Sequence, residues 1–256
     1  MRNAWLIVAL LALAMGGCTD NRMRLEDALE QGQVALGGAR YEAAVAYADE
    51  ALRIKASAEA HYIRARAEED RPKPDANITA ADLEKARSDY QAALDLNPDP
   101  PLAARCRSGL ANVAFDNDDY ATAVAQWTSA VDDLDEAQWR ALALYKIGLS
   151  RQRLGQFADA DKTFQSVRDQ YPDQDVAARA QERQGVRGFY VQLGTYTSTD
   201  DAATAIATAK GAGLTCRQIS DQGLIAVRGG SFTTYALAKQ ALAQVAAQFP
   251  QAVVGP

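Results

Sequence analysis

From residue 25 to about residue 175, small and apolar residues recur at i, i+3, i+4 and i+7 in segments separated by short polar turns. That spacing predicts a succession of amphipathic helices. After Gly185 and Gly188 the period falls to two. In "FYVQLGTY", Phe189 to Tyr196, Val191 and Leu193 point to one face while Tyr190, Gln192 and Gly194 point to the other, as expected of a strand covered on one side. "TDDAATAIATAKGAG" then reads as a helix capped by Thr199 and ending at Gly211 or Gly213. "LTCRQIS" and "GLIAVRGGSF" read as strands joined near Asp221 to Gly223, "TTYALAKQALAQVAAQF" as a helix starting near Thr233, and "QAVVGP" as a last short strand. The order is βαββαβ, an α+β layer whose two helices cover one face of a sheet and leave the other open.

The helical region repeats itself. In "ALALYKIGLSRQRLGQFADADKTFQSVRDQYPDQ", Ala141 to Gln174, the residues Gly148, Gly155, Phe157, Ala160, Phe164 and Pro172 have a spacing with a mechanical reason. Gly148 admits a neighbouring helix closely, Gly155 turns the chain, Phe157 and Phe164 fill the groove between helices, and Ala160 keeps the crossing tight. Weaker copies place Tyr41, Ala44 and Ala51 in the same register with Gly32 upstream. Leu83, Ala86, Tyr90, Ala93 and Pro98 follow Ala65, and Tyr120, Ala123, Trp127 and Ala130 follow Ala111. The second hairpin carries an insertion, "DRPKPDANIT", and "DVAARAQERQ", Asp175 to Gln184, suits the terminal cap that such arrays require. Together these units resemble the tetratricopeptide repeat family, which implies an all-α solenoid whose groove binds a protein partner.

The βαββαβ tail carries a second resemblance. "VQLGTYTSTDDAATA" and "VRGGSFTTYALAKQA" align as strand, glycine, aromatic, polar cap and alanine-rich helix, which pairs Gln192 with Arg228. With "FYVQLGTY" and the Gly229-Gly230-Ser231-Phe232 segment, this resembles the SPOR domain. Gly229 and Ser231 stand where that family usually has valine and proline. The resemblance implies binding to peptidoglycan glycan strands stripped of their stem peptides, the material enriched at division septa. The residue chemistry fits a sugar polymer independently: amide and guanidinium groups bond hydroxyls and acetamides, and a ring such as Tyr190 stacks on a pyranose. Gln192 and Arg228, flanked by Tyr190 and Tyr196, are the expected peptidoglycan-binding residues.

At the start of the chain Arg2 precedes the apolar stretch Ala4 to Met15, which is shorter than a membrane span and fits a signal peptide. "AMGGC", Ala14 to Cys18, resembles a bacterial lipobox with Met15 in place of the usual leucine. That resemblance implies cleavage before Cys18, lipidation of its thiol, and, with Thr19 following, outer-membrane placement facing the periplasm. The expected organisation is therefore multidomain: signal peptide 1–17, lipidated tether 18–24, an all-α tetratricopeptide-like solenoid with its cap over 25–187, and an α+β (βαββαβ) SPOR-like domain over 188–256.

Composition narrows the function. The 256 residues are 48% hydrophobic and only 7% aromatic, which suits close helix packing through alanine. Of the net charge of −6, residues 1–23 and 189–256 each carry +1, leaving −8 on residues 24–188. An acidic body argues against a nucleic-acid partner. The acidic runs "DNDD", Asp116 to Asp119, and "DDLDE", Asp132 to Glu136, read as solvated turns, and Cys106 and Cys216 as small buried hydrophobes. The only histidine, His61, reads as packing or surface, and no serine, cysteine or acidic pattern converges on it. The sequence provides no positive reason for an enzyme, and no cofactor or metal is expected. The leading expectation is an envelope lipoprotein that reads septal peptidoglycan through its tail and a protein through its repeats. The alternative is an adaptor similar to the tetratricopeptide lipoproteins of outer-membrane assembly or pilus secretion machines, with the tail as an accessory wall tether.

Overall fold

The computed structural model describes residues 4–72, 80–221 and 223–256. Most of the insertion at 70–79 and the side chain of Cys18 lie outside the described residues. The chain divides into two compact units, Met1–Asn117 with Ser129–Asp135, and Asp118–Thr128 with Glu136–Pro256.

The first unit contains α1 (Ala4–Gly37), α2 (Tyr41–Ile54), α3 (Ala58–Asp70), α4 (Ala80–Asp95), α5 (Pro100–Asp116) and a 3-10 turn at Val131–Asp133. Helix α1 runs unbroken, so the stretch 18–24 is helical here. Among the described residues, no helix is long and apolar enough to cross a membrane. Ser57 accepts a hydrogen bond from the Ala60 amide to start α3, and Asp99 accepts one from the Leu102 amide ahead of Pro100 and Pro101 to start α5. The core is built from small residues at crossing points: Ala35, Ala44, Ala48, Ile63 and Ala67 in one cluster, and Ala65, Leu83, Ala86, Tyr90, Ala93, Cys106 and Val113 in another. Alanine at a crossing brings helix axes close, and one ring such as Tyr90 fills the remaining space.

Several polar and charged groups in this unit partner one another. His61 Nδ1 lies 2.8 Å from Asp89 Oδ1, and Arg64 bridges Asp89 and Asp49 at 2.6 Å each. The Tyr90 hydroxyl donates to Glu69, which also accepts from Asn112 at 2.8 Å. Burial lifts the Glu69 carboxyl above the ordinary range, against the pull of Arg66 and these hydrogen bonds. His61 thus belongs to a structural ion-pair network. Asp135 of the second acidic run pairs with Arg105 at 2.5 Å.

The second unit holds most of α6 (Tyr120–Ala130), then α7 (Ala137–Arg153), α8 (Phe157–Gln170), α9 (Asp175–Arg183), β1 (Phe189–Tyr196), α10 (Thr199–Gly211), β2 (Cys216–Asp221), β3 (Leu224–Phe232), α11 (Tyr235–Val245) and β4 (Val253–Gly255). Helices α7, α8 and α9 share one core of Ala141, Tyr145, Ala160, Phe164, Val167, Val176 and Ala180. A Cβ on Gly148 would stand 2.5 Å from the Phe164 ring, so this position must be glycine for the ring to enter. Buried Gln152 donates to the Arg183 carbonyl at 2.6 Å and ties α7 to the end of the cap helix. Phe157 departs from expectation. It is only half buried, and its ring lies 6.2 Å from that of Phe189 at the start of β1.

The sheet runs β2-β3-β1-β4 with every pairing antiparallel. Val191, Leu193, Ile225 and Val227 pack against Ala202 and Ala209 of α10 and Ala241 and Val245 of α11, so both helices cover one face. The cap of α10 is Ser198, one residue before the expected Thr199, accepting from the amides of Asp200 and Asp201. Thr234 caps α11.

This α+β layer is seated on the last helical hairpin. The Arg153 guanidinium lies 4.5 Å from the Tyr235 ring centroid and 5.0 Å from that of Tyr120, and donates to the Tyr120 hydroxyl at 2.9 Å. Lys239 of α11 pairs with Asp118 of the first acidic run. Arg187 pairs with Asp161 at 2.6 Å, pinning the connection from α9 to β1. Gly155, at φ +79°, sits so close to the β3–α11 turn that a Cβ would stand 2.6 Å from the Thr233 carbonyl oxygen.

Candidate functional site

The face of the sheet turned away from α10 and α11 is the candidate site. Directly paired residues of antiparallel strands share a face, and the register pairs Gln192 with Arg228. Since Val227 is buried among the helices, Arg228 points to the uncovered side. Its Nε donates to Gln192 Oε1 at 3.2 Å, which leaves the Gln192 amide nitrogen as an outward donor. The guanidinium also lies 4.3 Å from the Tyr190 ring centroid. Tyr190 in turn lies over Gly255 of β4, where a Cβ would stand 2.6 Å from the ring. Three of the four residues expected from sequence therefore form one assembly. Within it the Tyr190 ring carries the Arg228 guanidinium over one face.

Tyr196 is not part of this assembly. Strict alternation places Gly194 and Tyr196 beside Gln192, but β1 bulges between Gln192 and Gly194. The extra residue reverses the facing of everything beyond it. Gly194 then pairs with Val227 and Tyr196 with Ile225, and Tyr196 packs against the helix-covered core. Burial, followed by the nearby Asp201 carboxylate, raises its hydroxyl above the ordinary tyrosine range.

The structure adds a residue that sequence reasoning missed. Arg217 of β2 pairs with Arg228, so Arg217, Arg228, Gln192 and Val253 form a row across all the strands of the face. The available signal was the position of Arg217 immediately after Cys216, which packs toward the core. Without the β2–β3 register, that position carried no meaning. Cys106 and Cys216 are free thiols. Burial lifts Cys106 to about 12, and raises Cys216 as well.

An array of small-residue helical hairpins followed by a split α+β layer with one bare face defines a modular binding protein, and family comparison agrees with this reading. The tetratricopeptide repeat matches residues 29–84, 78–138 and 142–173. The SPOR domain matches residues 185–254. The chain thus combines tetratricopeptide repeats with a C-terminal SPOR domain. No curated protein matches it. Both modules are binding modules: the SPOR domain implies peptidoglycan as ligand and a bacterial cell envelope setting, and the repeats imply a protein partner.

Proposed function

We propose that this chain is a bacterial envelope lipoprotein that binds peptidoglycan glycan strands denuded of stem peptides and recruits a protein partner through its repeats. Cleavage before Cys18 and lipidation of its thiol anchor it to the outer membrane, facing the periplasm, and its ligand concentrates it at the division septum. The observation that carries the reading is the joined Gln192, Arg228 and Tyr190 on an uncovered sheet face. An amide donor beside a guanidinium suits the acetamides and hydroxyls of an amino-sugar polymer, and a flat face admits a long strand. Binding is noncovalent, and no catalytic step is assigned to the chain.

Sedimentation with purified sacculi tests this directly. Amidase treatment of the sacculi should increase the bound fraction, and Gln192→Ala with Arg228→Ala should abolish the increase. Binding that ignores amidase treatment contradicts the proposal. Incorporation of labelled fatty acid, lost in Cys18→Ser, checks the anchor.

A further inference from the structure

Two arginines stand directly opposite each other on the bare face, Arg217 on β2 and Arg228 on β3. Like charges paired across strands destabilise a sheet. Among the described residues, Arg217 has no ionic partner, and Arg228 is held only by the neutral groups Gln192 and Tyr190. Arg217 and Arg228 are neighbours in the row, and the row holds no acidic residue: its other members are Gln192 and Val253. The sheet therefore concentrates positive charge where the row crosses it, in a chain whose net charge is −6. A bound anion would relieve the repulsion, and guanidinium pairs favour a planar carboxylate held by parallel N–H donors.

We infer that Arg217 and Arg228 together form a subsite for the lactyl carboxylate of the muramyl residue. The inference rests on the proposed reading of the face as a glycan site, and it names the group that is recognised. In a strand bearing stem peptides, the lactyl carbonyl is tied up as a neutral amide. Removal of the peptide frees a carboxylate on every second sugar, and this is the one new charge that a denuded strand presents on its backbone. The arginine pair supplies a physical basis for selecting denuded material. The Gln192 amide, one position along the same row, contacts the neighbouring acetamide. Tyr190 positions Arg228 by covering one side of its guanidinium.

The test uses the full chain and two probes: a denuded glycan tetrasaccharide with its lactyl carboxylates free, and the same tetrasaccharide with those groups converted to methylamides. The free acid should bind about fivefold more tightly than the methylamide, the upper end of the scale for one partly exposed ion pair. Arg217→Gln should lose about fivefold on the free acid and nothing on the methylamide, with Arg217→Lys restoring part of the loss. Affinity for the free acid alone should fall with added salt. Equal affinity for the two probes, or an Arg217→Gln variant that loses equally on both, overturns the subsite and leaves glycan binding intact. Failure to bind either probe overturns the glycan reading itself, and the subsite with it.

Discussion

Gly155 of the last helical hairpin lies against the Thr233 carbonyl of the C-terminal layer, and replacing this residue measures how firmly the layer is seated. Two costs arise in Gly155→Ala. The residue has φ +79°, which costs a side-chain-bearing residue about 1 kcal/mol. Its Cβ would also stand 2.6 Å from the backbone oxygen of Thr233, about 0.8 Å inside ordinary contact. Backbone cannot rotate away as a side-chain tip does, so overpacking adds about 1–3 kcal/mol. The sum, about 2–4 kcal/mol, corresponds to a fall in Tm of roughly 10 °C for a chain of this size. Gly155→Asn separates the terms, because asparagine tolerates the left-handed region but keeps the Cβ. Urea denaturation followed by circular dichroism should show Asn retaining at least half of the loss. Full recovery in Asn, or an Ala variant within 0.5 kcal/mol of the parent by the scale of ordinary surface substitutions, would refute the close approach to Thr233.

Arg153→Met should destabilise the protein by about 2 kcal/mol, from two cation–π contacts and one hydrogen bond, and Arg153→Lys by less, measured by the same denaturation. Gly148→Val should cost about 3 kcal/mol or prevent folding, because Phe164 fills the space the side chain would take, and Phe164→Leu in the same chain should restore part of the loss. For Asp118, burial is outweighed by the hydrogen bonds from Lys239 and Tyr120, and its carboxyl is held below the ordinary range. Its stabilising contribution is therefore present above the unfolded-state value near ~3.9 and is lost as pH falls through the depressed folded value. Asp118→Asn should flatten that acid limb of the stability curve. At pH 8 an alkylating reagent should modify Cys216 before Cys106, which is fully buried and pushed up to about 12; faster labelling of Cys106 in the folded chain would contradict its burial.

Helix period and repeated small residues made the hairpins legible, since Gly148 with Phe164, and Tyr90 among its alanines, are local in sequence and dictated by packing. Gln192 and Arg228 were legible as a matched pair for a different reason: the two halves of the C-terminal layer repeat one another and put them at equivalent positions, and the strand register then sets them side by side. Where a single inserted residue decides the outcome, the pattern fails. The bulge after Gln192 turns Tyr196 to the covered face, and its one local mark is Gly194, a glycine inside a strand pattern that strict alternation ignores. Arg217 needed a strand register that no local motif encodes. Phe157 was read as filler of its own hairpin, but its ring meets Phe189, a contact set by how the layer sits on the hairpin within the second unit.

The central claim is that the uncovered sheet face, through Gln192, Arg228 and Arg217, reads denuded glycan. Titration of the isotopically labelled full chain with a denuded glycan tetrasaccharide, following the side-chain N–H signals of these three residues by NMR, tests it most directly. The account predicts that the Gln192 amide and the Arg228 and Arg217 Nε–H signals shift together and saturate, while Tyr196 and the exposed sides of α10 and α11 stay unchanged. Shifts that gather on α10 and α11 or on the repeats, with the three side chains silent, would contradict it.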